Sequence, residues 1–154
     1  PLLEPFLEAV RARDDAWSAN LLDGLIERFG WDVPTVWSVR LNVSHAPALY
    51  RHLMRNSAHV RLGDLLRNPH DRKQPLDAAA LYLHRDDSDH IVAPSLDTLI
   101  RPGDRLLLVG RLAARRDFAL TVDNEHTLVY VLTGKDLPGG LVWEYLARRR
   151  EKTT

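Results

Sequence analysis

Apolar positions open the chain at three- and four-residue spacing: Leu3, Phe6, Leu7 and Val10, then Leu21, Leu22, Leu25, Ile26 and Phe29. That period keeps one face of a helix apolar. Asp14, Asp15 or Ser18 is placed to start a second helix and Gly30 to end it, although Gly24 weakens its interior. The pattern predicts an amphipathic helical arm over 1–33, broken near Arg13 to Asp15. From Pro34 the period falls to two. Thr35, Trp37, Val39 and Leu41 alternate with Val36, Ser38, Arg40 and Asn42, which predicts a strand with one wet face, its proline at the start where a missing N–H matters least.

Ala46 to Asn56 reads as a helix with Pro47 in its first turn and Ser44 as its cap. Arg61 to Arg67 reads as a short helical turn, stopped before Pro69. The polar stretch Asn68 to Pro75 reads as a surface loop. Strand patterns then dominate. Ala78 to Leu83 is a buried strand, and Asp86 to Asp89 turns it back onto His90 to Ala93 as a hairpin. Arg101 to Asp104 carries proline and glycine at the positions a type II turn prefers. Arg105 to Gly110 (RLLLVG) is the strongest buried strand. Ala113 to Val122 is expected to be helical and Thr127 to Thr133 (TLVYVLT) a further buried strand. Leu137 to Gly140 breaks the chain before an amphipathic helix over Leu141 to Arg150. The order predicts an α+β fold, a small β-sheet covered by helices on one side, with an N-terminal helical arm. The expected divisions are an arm over 1–33, a domain over 34–134, and a helix and tail over 135–154.

Composition narrows the chemistry. The chain has 154 residues and no cysteine. This length buries roughly two-thirds of the unfolded surface without staples, and the missing thiols remove disulfides, thiolate zinc sites and cysteine nucleophiles. The 21 basic and 21 acidic residues cancel, whereas nucleic-acid binders concentrate a basic surplus. Nearly all the positive charge is arginine, since lysine occurs only at 73, 135 and 152; guanidinium groups suit bidentate contacts to carboxylate or phosphate. No apolar run reaches the roughly eighteen residues that span a bilayer, and Glu4 and Glu8 with no basic flank do not make a secretory signal. Pro1 in place of methionine suggests an excised fragment or a processed chain, any membrane spans lying upstream.

Motifs for catalysis are missing. His45, His52 and His59 stand seven apart, about 10.5 Å along a helix and too far to share one metal. His84 and His90 flank the Asp86–Asp89 turn, where a hairpin could bring them together with an aspartate; a small metal-dependent hydrolase built on these two histidines is the alternative of another class. No serine lies in a G-x-S-x-G elbow. Asp14–Asp15 and Asp86–Asp87 are adjacent pairs whose side chains diverge, and no glycine-rich phosphate loop is present. Gly139–Gly140 before a helix is at most a minimal anion site. Arginines gather over 101–116 and at 148–150, where a solvated face and a helix end account for them. The residues therefore nominate no catalytic group, no metal ligand and no cofactor.

The most informative stretch runs from Val60 to Gly110. It holds Gly63, Asp64, Leu65 and Leu66, then Leu81 to Arg85, Ile91 to Pro94, and Leu99 through Gly110 around the Gly103–Asp104 turn. In order and spacing these pieces resemble the C-terminal subdomain of the regulator-of-potassium-conductance (RCK) module, also called the TrkA C-terminal domain. The resemblance covers about a third of the chain directly. Asp64 and Leu65 after Gly63 depart from the commoner form of the family's turn. The arm resembles the linker from an upstream nucleotide-binding half, and Trp31, Trp37 and Trp143 suggest a bacterial subfamily attached to a channel pore.

The resemblance implies a non-catalytic regulatory domain of a bacterial potassium channel or transport protein. Such a domain works at the cytoplasmic face of the inner membrane, forms a homodimer or higher homo-oligomer, and binds a small-molecule or ion effector in an interface cleft. Its partners would be the nucleotide-binding half and membrane pore of the same parent chain, not nucleic acid. Ligand binding would bias a gate by differential affinity for two arrangements. Within this picture Arg85, at a strand end facing a polar turn, is the ligand-binding candidate, its guanidinium suited to an anion. The same module on a cation/proton antiporter or other transporter, and a dimerisation domain without a ligand, fit the same residues.

Overall fold

The computed structural model describes residues 2–30, 34–56, 59–86 and 89–135. The predicted break at 137–140, the helix at 141–150, the tryptophans at 31 and 143, and the middle of the 86–89 turn lie outside them. Two helices come first, α1 (Leu3–Arg11) and α2 (Asp15–Phe29). Asp14 starts α2 by accepting the Trp17 N–H at 2.7 Å, which satisfies one of the amide donors a first turn leaves open.

Strand β1 (Thr35–Arg40) follows, with Trp37 buried and Val36, Ser38 and Arg40 exposed, the expected alternation. Helix α3 (Pro47–Asn56), the two-residue strand β2 (Val60–Arg61) and the single turn α4 (Leu62–Leu65) lead to the long strand β3 (Ala78–Asp86) and its partner β4 (Asp89–Val92). Ser44 does not cap α3. Asn42 organises that entrance instead, its side-chain oxygen accepting the Ser44 and His45 amides. After β5 (Leu99–Ile100) and β6 (Arg105–Gly110) come helices α5 (Leu112–Asp123) and α6 (Glu125–Thr133).

Strands β1, β6, β3 and β4 form one antiparallel sheet in that order, and β2 pairs with β5. Between β3 and β6 the register slips between Ala80 and Tyr82. This bulge puts Leu81 and Tyr82 in one core while Ala80 and Leu83 pack in the other.

The fold is α+β as expected, but helices cover both faces of the sheet. Leu106 and Leu108 pack with Leu49, Phe118 and Leu128 of α3, α5 and α6, while Leu107 and Val109 pack with Phe6 and Phe29 of α1 and α2. A strand as apolar as β6 on both faces needs two covers, and the helical arm provides the second.

A larger correction concerns 127–133, which is the helix α6 and not a strand. Its β-branched and aromatic content suggests a strand locally, but its ends are those of a helix. Asn124 accepts the Thr127 amide at 3.0 Å, Gly134 closes the other end at φ 78, and Leu128 and Val131 are buried one turn apart.

Candidate functional site: a basic cleft beside the start of β3

The pieces that carry the family resemblance fold against one another. Gly63 in α4 donates its N–H to the Leu96 carbonyl at 2.8 Å, and Leu62 to that of Thr98 at 2.8 Å, so the segment after β4 lies along α4. The chain leaves β4 through Ala93, which takes a left-handed φ of 48 and swings Pro94 to Asp97 toward that turn. On the other side, the Leu76 amide bonds to the Leu66 carbonyl at 2.7 Å, and Arg67 and Pro75 form a bridge that closes the 68–75 loop.

Between these walls lies an open cleft of about 590 Å³, floored by Ala78, Ala79 and Ala80 of β3. That volume falls in the range of small-molecule sites. Five cations, Arg28, Arg61, Arg67, Arg72 and Lys73, line it against the carboxylates of Asp64 and Asp97.

The two acids leave much of that positive charge available. Arg67 meets Asp64 at 3.4 Å with both side chains about a third exposed, 36% and 33%. Arg61 lies 3.7 Å from Asp97, which is 89% exposed, so water screens that pair. Arg28 reaches in from the end of α2 and donates to the Leu76 and Ala78 carbonyls at 3.0 and 2.7 Å. Neutral acceptors leave a guanidinium its full charge. The Lys73 ammonium has no acceptor among the described residues, its backbone N–H being taken by Asp71. The cleft therefore presents an excess of positive charge over an apolar floor, a surface suited to phosphate- or carboxylate-bearing molecules.

Arg85, the residue expected to meet a ligand, is placed elsewhere. Its Nε and Nη2 donate to both carboxylate oxygens of Asp104 at 3.0 Å each, Nη2 also reaches the Leu99 carbonyl at 2.9 Å, and Asp89 stands 3.9 Å away. Asp104 is 1% exposed and also accepts the Arg101 N–H at 2.8 Å. This cluster ties β3 to the Arg101–Asp104 turn, where Gly103 sits at φ 86 as a type II turn requires. Arg85 is not among the residues that line the cleft.

His84 and His90 do face each other across β3 and β4. The Tyr82 ring stacks near both, with centroids 6.3 and 5.7 Å away. Burial, and secondarily the Glu8 carboxylate, holds the Tyr82 phenol above its ordinary range. Among the described residues no three histidine, aspartate or glutamate side chains gather in a way that could hold a metal ion.

Sequence reading passed over the cleft because its lining comes from five separate segments. Asn68 to Pro75 reads alone as a polar loop, and only the fold sets Arg72 and Lys73 opposite Arg28 and Arg61.

No family model matches this chain, and no curated protein matches it. Among solved structures it is similar to one described as "GsuK channel bound to NAD", with a TM-score of 0.43 and 18% identity; the match covers 68% of this chain and 17% of that one. This chain thus spans about a sixth of that channel's length. Among the described residues no helix is long and apolar enough to cross a membrane.

Proposed function

We propose that this chain is a regulatory, effector-sensing domain of a bacterial potassium channel or related ion-transport protein, and that the basic cleft beside β3 is its effector site. The observation that carries the reading is the positive surplus in a ligand-sized cleft. The segments that resemble the RCK module's C-terminal subdomain support it: Gly63 and Leu66 form one wall, and Pro94 stands on the rim. The domain performs no chemical step. It takes up a small anionic effector, and whichever arrangement of the parent holds that effector more tightly gains population.

Calorimetric titration with pyrophosphate at low salt tests the site. Binding is expected, weakening as sodium chloride rises because the cleft is open to screening. Lys73→Glu is expected to weaken it by at least about tenfold, the equivalent of one charge-assisted hydrogen bond. Lys73 is exposed and its side chain makes no hydrogen bond or ion pair among the described residues, so the substitution spares the fold. Equal affinity in the two proteins, or no heat at all, removes the cleft from the reading.

The same reading makes the domain a homodimer. Light scattering at increasing concentration is expected to report a mass twice that of the 17.6 kDa chain. A mass that stays monomeric throughout the range removes assembly from the reading and leaves the cleft as a site within one chain.

A further inference from the structure

One wall of the cleft is fastened to the end of α6 through Arg72. In a continuing helix the Val131 carbonyl would accept the N–H of residue 135. Here Gly134 turns the chain at φ 78, and the Lys135 N–H bonds instead to the Thr133 hydroxyl at 3.2 Å. The Val131 carbonyl is met by the Arg72 Nε at 3.2 Å, while the Arg72 backbone N–H donates to the Tyr130 hydroxyl at 3.3 Å. Val131 is 0% exposed, so water is a poor substitute for that donor. A guanidinium at this end also opposes the negative pole of the helix. The same Arg72 lines the cleft. Nearby, His70 ties the loop to Asp117 of α5 at 3.1 Å.

We infer that Arg72 is a shared donor through which an anion in the cleft loosens the C-terminal turn of α6, and so signals to the segment beyond Gly134. The inference rests on the cleft reading above and adds its output. An anion attracts the Arg72 charge, and a guanidinium drawn toward it leaves the Val131 carbonyl without a donor. The Gly134 N–H, bonded to the Tyr130 carbonyl at 2.7 Å, then opens more often. Coupling of this kind is reciprocal: whatever holds the end of α6 in place weakens the anion.

Amide hydrogen exchange over residues 128–135, with and without pyrophosphate, tests it. Saturating pyrophosphate is expected to speed exchange at Gly134 about fivefold, the effect of losing one helix-end hydrogen bond, with no change at Leu108 in the central strand. Arg72→Ala is expected to give that faster exchange without any anion and no further response to it. Arg72→Gln separates capping from charge. Its amide nitrogen falls where Nε stands and keeps the Val131 contact, so exchange stays near the native rate, yet it has no charge for the anion to attract and the response disappears.

Binding heat with unchanged or slower exchange at Gly134 overturns the coupling and leaves the cleft standing. Native exchange in Arg72→Ala overturns it as well. If pyrophosphate gives no heat, the cleft and the coupling fall together.

Discussion

Replacing Asp104 with alanine is expected to destabilise the domain by about 3–5 kcal/mol, the usual cost of removing one partner from a buried ion pair. Its carboxylate takes two hydrogen bonds from Arg85 and one from the Arg101 amide, at a side chain 1% exposed, against 15% for Arg85. Without it a largely buried guanidinium loses its two-pronged carboxylate partner, with the Leu99 carbonyl at 2.9 Å and Asp89 at 3.9 Å still beside it. The Arg101 N–H loses its acceptor inside the turn. Urea denaturation reads the effect as a lower midpoint at constant slope. A double-mutant cycle with Arg85→Met is expected to show that most of the loss belongs to the pair, the double variant being more stable than Asp104→Ala alone. A loss below about 1 kcal/mol would mean that the pair contributes no more than a surface contact.

Gly110→Ala is expected to be comparably severe for a steric reason. Gly110 lies between strands, paired with Thr35 on one side and Ala78 on the other. A Cβ there would stand 2.6 Å from the Asp77 carbonyl oxygen, 2.8 Å from the Ala78 Cβ and 2.9 Å from its Cα. Two of those atoms belong to backbone, so no side-chain rotation relieves the contact and the strands must part. Overpacking of this kind costs about 3 kcal/mol, which lowers the melting temperature of a domain this size by about 9 °C. The Asp77 carbonyl also accepts the Arg111 amide at 3.2 Å, and the Asp77 carboxylate holds the Arg111 Nε at 2.6 Å, so separation disturbs the entry to α5 as well. Calorimetry showing a drop under about 3 °C would mean that the strands yield more easily than their spacing implies.

The sheet was legible because its strands carry their own signals. Alternation marked β1, an unbroken leucine run marked β6, and the proline–glycine pair before β6 marked the turn. What the leucine run could not say was how many layers it needed, and the arm's place on the second face follows only when Leu107 and Val109 are seen to point there. Residues 127–133 failed in the opposite way. Threonine, valine and tyrosine dominate them, and the decisive information sat just outside, in Asn124 and Gly134. Arg85 illustrates a third limit. A strand-end arginine beside an acidic turn reads the same whether its acceptor is a ligand or a carboxylate 19 residues away, and here Asp104 is that carboxylate. The cleft was hidden because charge excess is a property of proximity, and the whole chain sums to zero.

The strand order has a kinetic meaning. Strand β6 lies between β1 and β3 and pairs with both, so residues 35–40 wait for residues 105–110 before they gain any ladder. Contacts that close loops of that length favour slow, concerted folding. On the ribosome, β1 and the β3–β4 hairpin would emerge before β6, the strand that joins them, each exposed to whatever else can pair with an open edge.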